Sequence, residues 1–526
     1  MKTKAKSKNT SVAELNDLVA QLQQEKETQA LEVQKQKSEA LKWQDKYNIL
    51  LERFKLAQQK RFGSSSEKCP EQAELFDEAD APVSEEVLEA NSKTITVPAH
   101  ERKAKGQPKR AVIPEHFERE RIEYDIPEED KICNCGCQKH RIGEEVSEQL
   151  EVIPPQFRVS QHVRPKYACK ACEEGVSIAP MPKVFLPKSM AGPSLVAYTI
   201  INKYEDHLPL YRQEAIWNRH GCRLPRNSLC GWLMAAFEQT QPLLPLLKEA
   251  IVNSGYTQAD ETTAQVMKEP GRRNQKKSFM WVYRGNAPNY TAILYDYQET
   301  REAKHPKDFL SGFKGFLQTD GYSGYDWVND EAFIIHLACM AHARRPFAKL
   351  MKLSKSTGQS DVAIKLIAEL YQIESKAREQ QLTHKQRYEL RQNESKPLLN
   401  ALKIWLDKMA LSSSPKSVFG KGITYMLKRW AELTNFLKDG RLEIDNNMAE
   451  NSIRPFAVGR KNWMFKGSPR GAKAGACFYS LIATCKANDI DPFKYLNYLF
   501  MNIPHCNTEE DYRKLLPYNI EPELLA

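Results

Sequence analysis

The run GYTQADETTAQV, residues 255–266, sets a carboxylate, Asp260, in the middle of what otherwise reads as a buried β-strand. An ionised carboxyl on a central strand is costly unless something positive meets it. A hard divalent cation answers that need, because Mg²⁺ takes oxygen ligands and leaves room for water and phosphate. For one aspartate taken alone, a turn or capping role is the alternative.

The neighbouring pattern says which sheet would hold it. SFMWVYRG (278–285) and YTAILYDYQ (290–298) are two further β-rich runs, and a helix is expected around KDFLSGF (307–313). GFLQTDGYSGY (315–325) predicts a fourth strand ended by Asp320, with Gly321 turning the chain. AFIIHLACMA (332–341) predicts a fifth, which leads into a helix through HARRPFAKLM. Three strands, helix, strand, helix, strand, helix is the order of a ribonuclease-H-like fold. Strand alternation points Glu261 to the face opposite Asp260, and Asp326 falls past the turn, so both are set aside. Residues 344–440 read as a helical block inserted before the last core helix. It carries no reactive cluster, and packing or support of DNA is its expected role.

Residues 441–475 form the last part of the core. RLEIDNNMAENSIRPFAVGRKNWMFKG (441–467) puts Glu450 at the head of a strip holding Arg454, Arg460, Lys461 and Lys466, with Trp463 and Phe465 between them; Arg470 and Lys473 follow. Asn447 with Glu450 three residues on also spells a capping box, and Pro455 limits or kinks a helix here. The strip suits DNA: bases hold phosphates and rings stack. A third carboxylate would complete a site for two metals.

Upstream, residues 1–62 are read as a long helix with a 3-4 spacing (Leu15, Leu18, Leu22; Val33, Lys37, Ala40, Gln44, Tyr47, Leu51, Phe54), an imperfect coiled coil that would pair protomers. A solvated single helix is the alternative. Residues 63–110 form a linker: 71–90 hold eight acids and no base, and 101–110 hold five bases against one acid. The second stretch, with Lys105, Lys109 and Arg110, is a flexible arm suited to phosphate contact or simply a solvated linker. Within 111–190, Cys133, Cys135 and Cys137 are answered about thirty residues on by Cys169 and Cys172. Four of these five thiolates can surround one structural Zn²⁺, with His140 a further candidate. Residues 191–250 show a helix, a break at His220-Gly221 and a second helix after Pro225, the outline of a helix-turn-helix. Residues 476–526 read as a C-terminal helical region.

At 526 residues the chain exceeds one ordinary core. The net charge of +10 permits a polyanionic partner without proving one. No apolar run reaches the roughly 18 residues of a membrane helix, and the basic start has no apolar block behind it, so a cytoplasmic, reduced setting is expected. The expected class is therefore α+β and multidomain: coiled coil, zinc-binding module and helical DNA-binding domain, then a ribonuclease-H-like core with a helical insertion.

ADETTAQV, TDGYSGYD, HLACMAHARRPF and EIDNNMAENSIRPFAVGRKNWMFKGSPRGA together resemble the transposases of the insertion sequence 66 family, TnpC type. RFGSSSEK, the cysteine clusters and the tail YSLIATCKANDIDPFKYL resemble the same family. The resemblance implies a DDE triad at Asp260, Asp320 and Glu450 and two Mg²⁺ (or Mn²⁺) ions about 3.5–4 Å apart. It implies cutting of element ends, joining of the 3′-OH to target DNA, and small accessory proteins from the same element. Double-stranded DNA, a homodimer or larger assembly, and a nucleoid-associated bacterial setting follow as expectations. A nuclease or resolvase without strand transfer, and a non-catalytic DNA-binding regulator, are the competing readings. Two departures stand out: the first cluster reads CNCGC rather than a CxxCG knuckle, and Ala483 stands where the family usually has an acid.

Overall fold

The computed structural model describes residues 24–54 in part, Arg121, and residues 156–168, 176–351 and 358–525. The five expected zinc ligands and His140 lie outside the described residues, as do Lys105, Lys109 and Arg110. The chain divides into residues 84–182 and a larger unit of residues 1–83 with 183–526. Within the smaller unit, β1 (Lys166–Ala168) pairs antiparallel with β2 (Val176–Ile178), with Tyr167 opposite Ser177. These strands border the second cysteine cluster. The described residues between 24 and 54 are helical, and Val33, Tyr47, Leu51 and Phe54 on the expected seam are exposed.

In the larger unit, the described residues from 193 on form four helices ahead of the sheet: α1 (Pro193–Tyr204), α2 (Leu210–Arg219), α3 (Arg226–Thr240) and α4 (Leu243–Val252). Each begins beside a proline, whose fixed φ suits a first turn that needs no N–H partner. The break between α2 and α3 turns at Gly221, φ +78°, as expected. Leu229, Trp232, Leu233, Ala236 and Phe237 bury one side of α3, while Arg226, Asn227 and Cys230 are exposed.

The core sheet is built from β3 (Tyr256–Gln265), β4 (Lys277–Asn286), β5 (Thr291–Gln298), then helix α5 (Lys304–Phe309), β6 (Gly315–Thr319), a 3₁₀ segment Ser323–Asp330, β7 (Ile334–Ala338) and helix α6 (Met340–Met351). The spatial order is β5-β4-β3-β6-β7. β3, β4 and β5 form an antiparallel meander, whereas β6 pairs parallel with β3 and β7 parallel with β6. β3 is therefore central, and Tyr256 through Asp260 are all buried.

The helical block comprises α7 (Gln359–Glu379), α8 (His384–Leu390), a π-helical turn Arg391–Ser395, α9 (Lys396–Ser412), α10 (Val418–Lys428) and α11 (Trp430–Thr434). Its Ile364, Ile367, Leu402, Leu406 and Met426 share one core with Phe347 of α6, Leu337 of β7 and Tyr256 of β3. The chain then returns through α12 (Asn447–Trp463), α13 (Pro469–Ala487) and α14 (Pro492–Asn502).

Helix α13 closes the outer edge of β5. Ser480 Oγ accepts the Tyr295 N–H at 2.8 Å, Thr484 Oγ1 accepts that of Ile293 at 3.0 Å, and Asn488 Oδ1 accepts that of Thr291 at 3.0 Å. Thr484 Oγ1 and Asn488 Nδ2 donate back to the carbonyls of Ile293 and Thr291. An edge strand's open N–H and C=O groups are thus satisfied by one helix face. Ala483, in the same helix, is partly buried against the core.

Candidate active site

The parallel pairing of β3 with β6 sets two aspartates on adjacent strands. Asp260 is 7% exposed within β3, and Asp320 follows the last residue of β6. Asp320 Oδ1 accepts the Tyr322 N–H at 2.8 Å, across the turn made by Gly321 at φ +87°. Its carbonyl accepts the Tyr425 hydroxyl at 3.0 Å.

The third carboxylate arrives from nearly two hundred residues away, and a polar ladder docks it. Gln258 and Gln318 each lie two residues before an aspartate and so share its strand face. Gln258 Nε2 donates to Gln318 Oε1 at 2.8 Å, and Gln318 Nε2 donates to the Glu443 carbonyl at 2.9 Å. The Tyr256 hydroxyl donates to Gln318 Oε1 at 2.6 Å and accepts the Glu443 N–H at 3.2 Å. Asn446 Nδ2 donates to the Ala259 carbonyl at 2.9 Å, and its N–H reaches Cys339 Sγ at 3.2 Å. Asn446, not Asn447, then caps α12, and it does so without a side-chain bond. Glu450 accordingly makes no capping box. Its Oε1 lies 3.4 Å from His342 Nδ1 on the first turn of α6. Pro455 does not end α12, which runs on to Trp463.

The insertion clamps the same approach. Arg387 and Arg391 both grip Glu374, and Arg387 also pairs with Glu443 at 2.8 Å. Arg391 donates to the carbonyls of Phe436, Asp439 and Leu442, and Tyr371 donates to Asp445 at 2.8 Å. Packing, and specifically the support of residues 436–445, is what the block does here.

Asp260 and Glu450 are both shifted, and Asp320 bears on each. Burial pushes Asp260 well up, and the charges of Glu261, Glu450 and Asp320 add to it. Burial raises Glu450 to about 7; Arg345 opposes, while Asp445 and Asp320 push further up. Glu261 is also raised to about 7, by burial and then by Asp320, but it is answered by protein. Arg301 binds it through Nε at 2.7 Å and through a second nitrogen, and the Tyr325 hydroxyl lies 3.4 Å away. Asp326 is likewise taken, by Arg429 at 2.7 Å. The two carboxylates set aside on sequence grounds are the two that the protein neutralises. Asp260 Oδ1 accepts the Glu261 N–H rather than a pair of arginine bonds, and Glu450 Oε1 is buried with no hydrogen-bond partner, with the Arg345 charge acting on that carboxyl. Such a donor set fits a divalent cation.

His342 is a residue that sequence reasoning missed. Burial and Arg345 push its imidazole down to about 4, so it is neutral. Its Nδ1 is buried and unpaired, because the 3.4 Å approach to Glu450 lacks hydrogen-bond geometry. Cys339, His342 and Glu450 are the one trio of such side chains among the described residues whose ligand atoms all lie within 4.8 Å. The histidine stood in a quoted motif, directly after a predicted strand; that position was the available signal.

The basic strip divides. Arg454, Lys461 and Arg470 are exposed, and Arg470 pairs with Glu238. Arg460 turns back to β3 and donates to Thr263 Oγ1 at 2.8 Å. Lys466 was expected among the phosphate-holding bases, but it is 9% exposed. Its ammonium sits 4.7 Å from the Trp463 ring centre and 5.3 Å from that of Phe456, and burial pulls its pKa well down. The cause is the reversal at Met464, φ +59°, which bridges Lys466 to Val266 at the end of β3. Trp463 is half-buried between Lys203 and Lys466 rather than open for stacking. Met464 and Phe465 are the exposed apolar residues of the strip.

Known proteins give this geometry a context. Residues 188–474 match the model described as the transposase IS66 family. Residues 130–173 match the zinc-finger binding domain of transposase IS66, 480–518 the IS66 C-terminal element, and 49–122 the transposase C of IS166 homeodomain. Two relatives from Sinorhizobium fredii carry the names uncharacterized protein y4jD and uncharacterized protein y4qI. The first is 35% identical over 424 residues, 77% of this chain and 81% of that protein. The second is 33% identical over 500 residues, 90% of this chain and 89% of that protein. No solved structure matches. The zinc-finger match supports a zinc ion in the cysteine module, and no described helix is long and apolar enough to cross a membrane. With the acid-bearing sheet inside the longest match and the zinc finger and tail matched on either side, the chain belongs to the IS66 family of transposases.

Proposed function

We propose that this chain is a DNA transposase that nicks the ends of its element and joins the freed 3′-OH to target DNA, with Asp260, Asp320 and Glu450 as the catalytic carboxylates of a ribonuclease-H-like core. The observation that carries this reading is that two buried carboxyls from distant parts of the chain, Asp260 and Glu450, are both pushed up by burial, with the charge of the partly buried Asp320 bearing on each. The sheet order, with a three-stranded meander followed by two parallel strands, supports the fold assignment.

Asp260, Asp320 and Glu450 would hold Mg²⁺ or Mn²⁺, which when bound activates water or a hydroxyl and steadies charge on the phosphate. The protein's own part is placement. The strand pair would present the two aspartates, and the ladder from Gln258, Gln318 and Asn446 supports the approach of the helix that carries Glu450. Arg454 and Lys461 lie on the helix that carries Glu450 and would bind backbone phosphates. Attack by water and then by the 3′-OH needs no covalent protein link, so no tyrosine or serine nucleophile is assigned. The exposed seam of the N-terminal helix would pair protomers, as joining two element ends requires.

The test is a nicking and strand-transfer assay with DNA flanking the gene as donor end. Wild-type protein should nick only with divalent metal and then join the cut 3′ end to a second duplex. Asp260→Asn and Glu450→Gln should bind DNA and do neither. Nicking by both variants at the wild-type rate removes the triad; nicking without joining leaves a nuclease.

A further inference from the structure

Two inaccessible atoms face each other across the site without bonding. His342 Nδ1 and Glu450 Oε1 are 3.4 Å apart, each buried and each without a hydrogen-bond partner. Glu450 as a whole is only 6% exposed. A buried acceptor left unpaired is costly, so the pair needs a third participant. Two ligands of one cation, each bonded at about 2.0–2.2 Å, sit roughly 3.0–3.5 Å apart. The observed separation is of that size.

The neighbouring sulfur does not compete for the position. Cys339 Sγ completes the trio of donor atoms within 4.8 Å, but it is wholly buried and receives N–H groups from Asn446 and His342. The nitrogen and the carboxylate oxygen remain. Asp320 acts on both His342 and Glu450, which puts the pair on the side of the cluster where that aspartate lies.

We propose that His342 Nδ1 and Glu450 Oε1 are two ligands of one divalent cation, and that this nitrogen donor makes the site prefer Mn²⁺ to Mg²⁺. The inference rests on the metal-dependent reading of the triad given above. Its chemical basis is donor softness: oxygen ligands suit Mg²⁺, whereas imidazole suits borderline cations further along the series. A ligand from α6 would also tie the helix after β7 to the helix that carries Glu450.

Pulsed electron paramagnetic resonance on full-length, zinc-loaded protein with added Mn²⁺ reads this directly. The wild-type spectrum should show nitrogen-14 coupling to bound Mn²⁺. In His342→Gln the coupling should vanish, and Mn²⁺ affinity should fall about tenfold or more, with Mg²⁺ affinity less affected. Mn²⁺ bound in a way that Asp260→Asn weakens, yet with no nitrogen coupling in the wild type, overturns the proposal while leaving the triad intact. Mn²⁺ binding indifferent to both Asp260→Asn and Glu450→Gln overturns the triad itself. The wild-type spectrum decides even if the histidine variant folds poorly.

Discussion

Two clusters of buried charge lie along this chain and are finished in opposite ways. Around Glu374, the protein supplies its own cations: Arg387 and Arg391 close on both carboxylate oxygens, and the carboxyl is held below its usual value by those bonds despite burial. Around Asp260 and Glu450 burial outweighs what the protein supplies, Arg345 opposing only in part at Glu450, and both carboxyls are pushed up. The same residue type at similar depth is a strut in one place and, on the reading proposed above, a ligand in the other. What separates them is compensation, not burial. A cluster left incomplete by its own protein implies a partner that comes from solution.

That contrast can be broken by experiment, and the largest effect should be on activity. Asp260→Asn or Glu450→Gln should lower metal-dependent nicking by at least about 10³-fold, measured in the end-nicking assay, without loss of cooperative unfolding. Arg391→Ala should do the reverse. It leaves Glu374 only partly compensated and frees three carbonyls, so it should destabilise by about 3–5 kcal/mol in denaturant titration. Activity would then fall with the folded fraction.

Next in size is a pH effect. Folded Glu450 is raised to about 7 from an ordinary 4.5, so the native state binds more protons than the unfolded chain between those values. Metal-free stability therefore falls as pH rises through that window. Glu450→Gln should be more stable than wild type by on the order of 2 kcal/mol at pH 8, the gap closing toward pH 4.5. Saturating Mg²⁺ should reverse the ranking at pH 8. A gap that is flat with pH would make the two clusters alike. The smallest effect lies away from both: Thr484→Val unpairs the N–H and C=O of Ile293 and should cost about 1–2 kcal/mol with no change in metal dependence.

Asp260 and Asp320 stand out in the sequence as candidates because each puts a charge where strand periodicity calls for an apolar residue or a turn. The decoys Glu261 and Asp326 were legible by alternation and position, and their pairing with Arg301 and Arg429 agrees. Glu450 was harder, since its local pattern also spelled a cap; contacts from β3 and β6 decide against that. The ladder through Gln258, Gln318 and Asn446 joins residues 60 to 187 positions apart, and no local period announces it. Lys466 misled for the opposite reason. Its neighbours are basic and aromatic, as on a DNA-binding face, but the reversal at Met464 folds it inward among those same rings.

The face of α13 that carries Ser480, Thr484 and Asn488 has one more consequence. Four residues of helix advance about 6 Å and two residues of strand about 6.6 Å, so side chains one turn apart keep step with every second residue of β5. The helix acts as a surrogate sixth strand with no further edge to offer. A second polypeptide therefore finds the N–H groups of Thr291, Ile293 and Tyr295 already taken along that side.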